Sequence, residues 1–230
     1  MGDCIEVMKQ LPDQSVDVII CDLPYGVSAC KWDSIIPFED LWKEYNRICK
    51  GQKVLFSSQP FTTHLIYSNI KKFKYAWVWE KNFSTNFLHA KRMPLRKTED
   101  ICIFDSGLYN PQKTDGHKPT QSATGASNGK LWHGKNVRNY KGGDTTRYPT
   151  NLLKFNAVDP KKRIHPTQKP IDLLEYLIKT YTNEGMTILD NCAGSGTTAI
   201  ACENTNRKWI CIEKDDDIAY NAIKRIQGEY

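Results

Sequence analysis

Residues 187–215 read TILDNCAGSGTTAIACENTNRKWICIEKD. An apolar run closes on Asp190, a Gly194-Ser195-Gly196 turn follows, Thr197 to Asn206 carries no helix breaker, and a second β-rich run closes on Glu213. Strand, turn, helix and strand in this order make a βαβ unit with parallel strands. Gly194 and Gly196 allow the backbone to approach a ligand, the helix N-terminus offers unpaired N–H groups, and Glu213 can accept from two ribose hydroxyls. GSGTTA formally matches the G-x-G-x-x-G/A dinucleotide fingerprint. Asp190, however, sets a carboxylate beside the turn, which suits a cationic amino acid group better than a phosphate. A nucleoside cofactor fits this pattern, with a nicotinamide cofactor or a ligand-free tight turn as the alternatives.

Outward from this unit the same alternation recurs. VDVIICD, KVLFSS, YAWVWE and DICIFD are short β-rich runs, and IPFEDLWKEYNRICKG and IDLLEYLIKTYTNEG read as helices. The expected fold is α/β, a mostly parallel sheet with helices on both faces. Trp77 and Trp79 in YAWVWE are expected in the core. Residues 107–163 separate the two alternating blocks and hold seven of the fourteen glycines, with little periodicity. They carry eleven Lys and Arg against three Asp, net +8 in a chain of net +6. Tyr109, Trp132, His133, Tyr140 and Tyr148 are interleaved with these cations, as in a nucleic-acid-contacting insertion rather than a plain linker. The division expected is 1–106, 107–163 and 164–230.

A chain of 230 residues with 40% hydrophobic content can bury a full core. No run approaches the length of a membrane helix, and the N-terminus lacks the layout of a signal peptide, so a soluble cytoplasmic protein is expected. Eight cysteines include no C-x-x-C pair and no zinc-like His spacing, so no metal site is expected.

Residues 21–26, CDLPYG, end the first β-rich run with a carboxylate, a proline and an aromatic ring. By itself this is a turn or a clamp for a flat, hydrogen-bonding substrate. CDLPYG resembles the D-P-P-Y motif of amino-group DNA methyltransferases, and LDNCAGSGTT resembles their S-adenosylmethionine motif, D-P-F-x-G-S-G-T-T. HPTQKPIDLLEYLI is similar to the segment that packs around the methionine end of the cofactor. The order of the motifs, catalytic, then basic insertion, then cofactor, matches the permuted β class, and the resemblance spans nearly the whole chain. It implies a Rossmann-like class I methyltransferase fold with a seven-stranded-type sheet.

The resemblance also implies site residues. Asp22 and the Leu23 carbonyl would accept from the exocyclic amine of a base swung out of the duplex, with Pro24 shaping the clamp and Tyr25 stacking on the base. The cofactor would lie against Cys21, Asp190, Cys192, Ala193, Gly194, Ser195, Gly196, Thr197 and Glu213, with Thr167, Gln168, Lys169 and Pro170 around its methionine end. Asp3 either caps the helix that follows it or contacts the adenine. Lys135, Arg138, Lys141 and Arg147 of the insertion are the candidates for DNA contact. Two departures stand out: Leu23 replaces the family's second proline and Cys192 its phenylalanine.

The expected reaction is methyl transfer from S-adenosylmethionine to adenine N6 in double-stranded DNA. Cytosine N4 is the closest alternative, methylation of RNA or of a protein glutamine a more distant one, and a catalytically inactive DNA-binding module the alternative of another class. Dimers and a cognate restriction endonuclease are partners that the resemblance admits.

Overall fold

The computed structural model describes residues 1–28, 30, 32–127 and 136–229, without the side chains of 123–127 and 136–140. Helix α1 (Cys4–Gln10) is capped by Asp3, whose carboxylate accepts from the Ile5 N–H at 3.1 Å. Strand β1 (Val18–Asp22), helix α2 (Phe38–Ile48), strand β2 (Lys53–Ser57) and helix α3 (Phe61–Ser68) follow. Strands β3 (Phe73–Thr85) and β4 (Arg96–Phe104) come next, with only a three-residue 3-10 turn, Phe87–His89, between them. The chain continues through β5 (Ala123–Ser127), β6 (Asn136–Tyr140), β7 (Leu152–Lys154), α4 (Ile171–Tyr181), β8 (Thr187–Asp190), α5 (Thr197–Asn204), β9 (Lys208–Cys211) and α6 (Asp216–Ile226).

Seven strands form one sheet in the order β7-β3-β4-β2-β1-β8-β9. The pairings β1·β2, β1·β8, β8·β9 and β3·β7 are parallel, and β4 runs antiparallel to both β2 and β3. YAWVWE and DICIFD thus lie in two arms of one hairpin, because no helix-length segment separates them to make the crossover a parallel pair needs. Period-2 alternation splits β1 between two cores. Ile19 and Cys21 face α1, α2 and α3 with Leu41, Tyr45 and Leu65, whereas Val18 and Ile20 face α4 and α5 with Leu174, Leu177 and Ala201. Trp77 and Trp79 are buried, as their alternation requires.

The chain divides into two compact units, 1–110 with 151–230, and 111–150. Residues 151–163, set apart by composition, pack with the larger unit: β7 joins the main sheet beside β3 and buries Leu153. A three-residue strand is too short to show a period in sequence. The smaller unit contains the antiparallel pair β5·β6 and a bridge between Thr114 and Arg147. Among the described residues no helix is long and apolar enough to cross a membrane, and no His, Cys, Asp and Glu group could hold a metal.

Candidate active site

Parallel pairing of β1, β8 and β9 brings their C-terminal ends together, and each ends on or just before an acid: Asp22, Asp190 and Glu213. The C-terminal edge of parallel strands is where α/β folds bind ligands. Here it opens into a cavity of about 1000 Å³. Of the catalytic and cofactor candidates, all but Pro170 and Gly196 line it. Pro170 serves instead as the N-cap of α4.

Gly196 departs from expectation. Its φ of +71° suits glycine, but a Cβ there would stand 3.0 Å from Ile226 Cδ1 and 3.3 Å from Ala222 Cβ, against α6 and not in the cavity. Gly194, at φ +52°, lines the cavity, and a Cβ there would face His165 at an ordinary contact distance of 3.7 Å.

The glycine turn is tied from several sides. Asp190 is buried, and its two oxygens accept from the Cys192 N–H at 3.1 Å and the Thr198 hydroxyl at 2.5 Å. Burial pushes its pKa from 3.8 up to about 6, against the pull of these hydrogen bonds. Glu213 Oε2 accepts from the Gly194 N–H at 2.9 Å, and its Oε1 accepts from the Lys214 and Asp215 N–H groups. The carboxylate expected on ribose thus also pins the turn. Arg225 of α6 donates to the Ser195 carbonyl at 2.8 Å and to the Thr197 hydroxyl at 2.9 Å. Asp3 both caps α1 and lines the cavity, with Lys214 Nζ 3.3 Å from its Oδ2.

At the other end of the cavity lies the CDLPYG segment. The Tyr25 hydroxyl donates to Asp22 Oδ1 at 2.7 Å, and its ring stacks on Phe61 with centroids 5.2 Å apart. Leu23 is buried in the core. The loop after Tyr25 is shaped by Asp33, whose two oxygens accept from the N–H groups of Tyr25, Gly26, Val27 and Ser28 at 2.7–3.0 Å. Burial raises the Asp33 pKa, but the Ser28 hydroxyl and then the backbone N–H groups outweigh it and hold the carboxyl below its usual range.

Lys169, expected at the methionine end of the cofactor, hydrogen-bonds Asp22 Oδ2 through its Nζ, which also lies 3.4 Å from Glu99 Oε2, a charge contact without hydrogen-bond geometry. Lys81 hydrogen-bonds Glu99 Oε1. Asp22, Lys169, Glu99 and Lys81 thus alternate in sign along one wall of the cavity. Burial pulls the Lys169 pKa down, yet Asp22 and Glu99 raise it above its ordinary value. Burial likewise opposes the charge of Glu99, and Lys169 and Lys81 overcome it. A lone buried charge would cost several kcal/mol, so the four are stable only together.

Set against known proteins, the family profile described as DNA methylase, of the N6 and N4 type, matches residues 16–224. The chain belongs to this DNA methylase family. The methylase is 43% identical to the Type II methyltransferase M2.DpnII of Streptococcus pneumoniae, over 99% of this chain and 88% of that protein. It is 26% identical to the DNA adenine methyltransferase YhdJ of Escherichia coli, over 98% of this chain and 81% of the relative. Among solved structures, the M1.HpyAVI–SAM complex aligns with a TM-score of 0.63 and 26% identity, covering 97% of this chain and 96% of the other. The cytosine-N4-specific PvuII methyltransferase shares the fold at a TM-score of 0.66 and 14% identity, covering 99% of this chain and 92% of that one.

Sequence reasoning missed Lys81, Glu99 and Asp33 in this methylase. A faint signal existed for the first two. Lys81 shares strand parity with Trp79, and Glu99 with Ile101, which places a charge at the end of an apolar stripe. In the smaller unit Lys141 is exposed, and the Arg147 guanidinium donates to the carbonyls of Lys118, Asp144 and Thr146. Lys135, Trp132, His133 and the Arg138 side chain lie outside the described residues.

Proposed function

We propose that this methylase transfers the methyl group of S-adenosylmethionine to the N6 amine of adenine in double-stranded DNA. The observation that carries the reading is the single cavity joining the Asp22-Leu23-Pro24-Tyr25 clamp to the Asp190–Glu213 turn. Its volume and chemistry fit the cofactor: Asp190 and Glu213 supply carboxylates for an amino acid ammonium and for ribose hydroxyls, and Gly194 lines the wall with them. Bound there, S-adenosylmethionine supplies a methyl group activated by a sulfonium. The chain positions the base amine: Asp22, held by Tyr25 and Lys169, accepts a hydrogen bond from the amine N–H and leaves the nitrogen lone pair free toward the methyl, so that the new N–C bond would form as the S–C bond breaks and the nitrogen would then release its extra proton. Lys169 acts as a positioning residue that holds the carboxylate in place through a charged hydrogen bond.

Adenine is preferred over cytosine because the clamp opens with Asp22, as in adenine-specific members it resembles, and because the relative YhdJ is named an adenine methyltransferase. Residues 107–163 are read as the target-recognition insertion on their net charge of +8. Incubating labelled cofactor with mixed DNA and digesting to nucleosides should place the label in N6-methyladenine. Label confined to N4-methylcytosine overturns the choice of base.

Asp190 adds a pH dependence. Its folded pKa is raised, so its favourable contribution to stability is full below pH 3.8 and is lost as pH rises through about 6. Cofactor affinity should run the opposite way, since only the ionised carboxylate pairs with the ammonium. Calorimetry from about pH 5 to about pH 7, where the ligand's ammonium stays charged, should show affinity rising roughly tenfold, with Asp190→Asn weak and losing most of the rise. His165, whose pKa burial pulls below 6.5, titrates in both proteins and is removed by the comparison. An equal rise in the variant would exclude Asp190 as the ammonium partner.

A further inference from the structure

Between β3 and β4 the chain leaves the rim of the cavity and returns to it. Phe83 and Thr85 precede the connection, Arg96 follows it, and all three line the cavity. The tip carries Phe87 and Leu88 in a 3-10 turn, Phe87–His89, with Leu88 98% exposed, Phe87 66% and Met93 49%. Singly exposed apolar residues are ordinary, but three within seven residues at the mouth of a ligand cavity are not. The tip is built rather than slack. Asn86 takes the left-handed conformation at φ +72°, Ala90 N–H donates to the Phe87 carbonyl, and the Arg92 and Met93 N–H groups both donate to the His89 carbonyl.

Charge narrows the choice of partner. No Asp or Glu occurs between Glu80 and Glu99, whereas Lys91, Arg92, Arg96 and Lys97 cluster after the apolar tip. Lys97 is paired with Glu80, and Lys91 and Arg92 are exposed, with no carboxylate partner among the described residues. An apolar projection followed by cations is complementary to a stacked, anionic duplex. It does not match a second copy of this tip, whose charge has the same sign.

We propose that Phe87 and Leu88 form a wedge that enters the DNA stack beside the target base, while Lys91 and Arg92 hold the adjacent phosphates. The inference rests on the reading of double-stranded DNA as substrate. A base that must leave the duplex to reach Asp22 costs unstacking, and an apolar side chain filling the gap offsets that cost. Single strands need no such help.

The test uses the full chain, tritiated S-adenosylmethionine and bacterial genomic DNA from a methylation-deficient host, native or heat-denatured. F87S/L88S, which alters only exposed side chains, should lose at least ~10-fold in rate on native DNA and stay within ~2-fold on denatured DNA. An equal change on both templates, or none, overturns the wedge. So does a parent enzyme that labels denatured DNA alone. Equal loss together with dissociation in sedimentation would assign the tip to contact between copies. A parent that labels neither DNA removes the substrate reading itself, and the wedge with it.

Discussion

Asp22→Ala is expected to abolish methyl transfer while cofactor binding survives. The carboxylate's contacts are the Tyr25 hydroxyl and Lys169, and neither belongs to the glycine turn. Loss of a positioned acceptor of this kind lowers rates by about 10²–10⁴-fold. The variant also leaves Lys169 buried with Glu99 as its remaining carboxylate. Removing one partner of a buried pair costs up to ~3–5 kcal/mol, and the retained contact with Glu99 should keep the loss toward the lower end. Asp22→Asn, which keeps the volume, separates the two effects: it should be as slow as the alanine variant and more stable. Calorimetry with S-adenosylmethionine on both variants should show affinity near that of the parent. Turnover within twofold of the parent in either would remove Asp22 from the chemistry.

Gly196→Val should act on folding before it acts on binding. The residue sits at φ +71°, and its Cβ would face Ile226 and Ala222 of α6 at 3.0 and 3.3 Å. A left-handed non-glycine residue costs ~1–2 kcal/mol and overpacking ~1–3 kcal/mol, so a loss of about 2–5 kcal/mol is expected. Urea unfolding should show a lower midpoint with little change of slope. Gly194→Ala is the informative companion. At φ +52° its Cβ approaches His165 on the cavity side, so it should weaken cofactor binding with a smaller loss of stability. A Gly196→Val protein as stable as the parent would show that α6 yields there and that the contact is unimportant.

The roles of the two glycines illustrate what is legible in one dimension. G-S-G announces a tight turn, because only glycine takes these backbone angles cheaply. Which wall each missing side chain would strike depends on α6, whose docking is not encoded in the turn. Glu213 behaves similarly. Its place after an apolar strand marks the strand's tip, yet its hydrogen bond to Gly194 needs β8 and β9 in register.

By itself the sequence determined the strand tips, the glycine turn, the order of the motifs and the charge of the middle region. These are properties of neighbours in the chain, written in periodicity and in residue type. Only the tertiary structure decided that β3 and β4 form an antiparallel hairpin, that residues 152–154 return to the main sheet, and that Lys169 meets Asp22 across 147 positions, with Glu99 and Lys81 behind it. The physical reason is that a buried charge is tolerated only beside its opposite, and strand order determines which charges become neighbours. Strand order comes from packing both faces of the sheet at once, which no local stretch of chain contains.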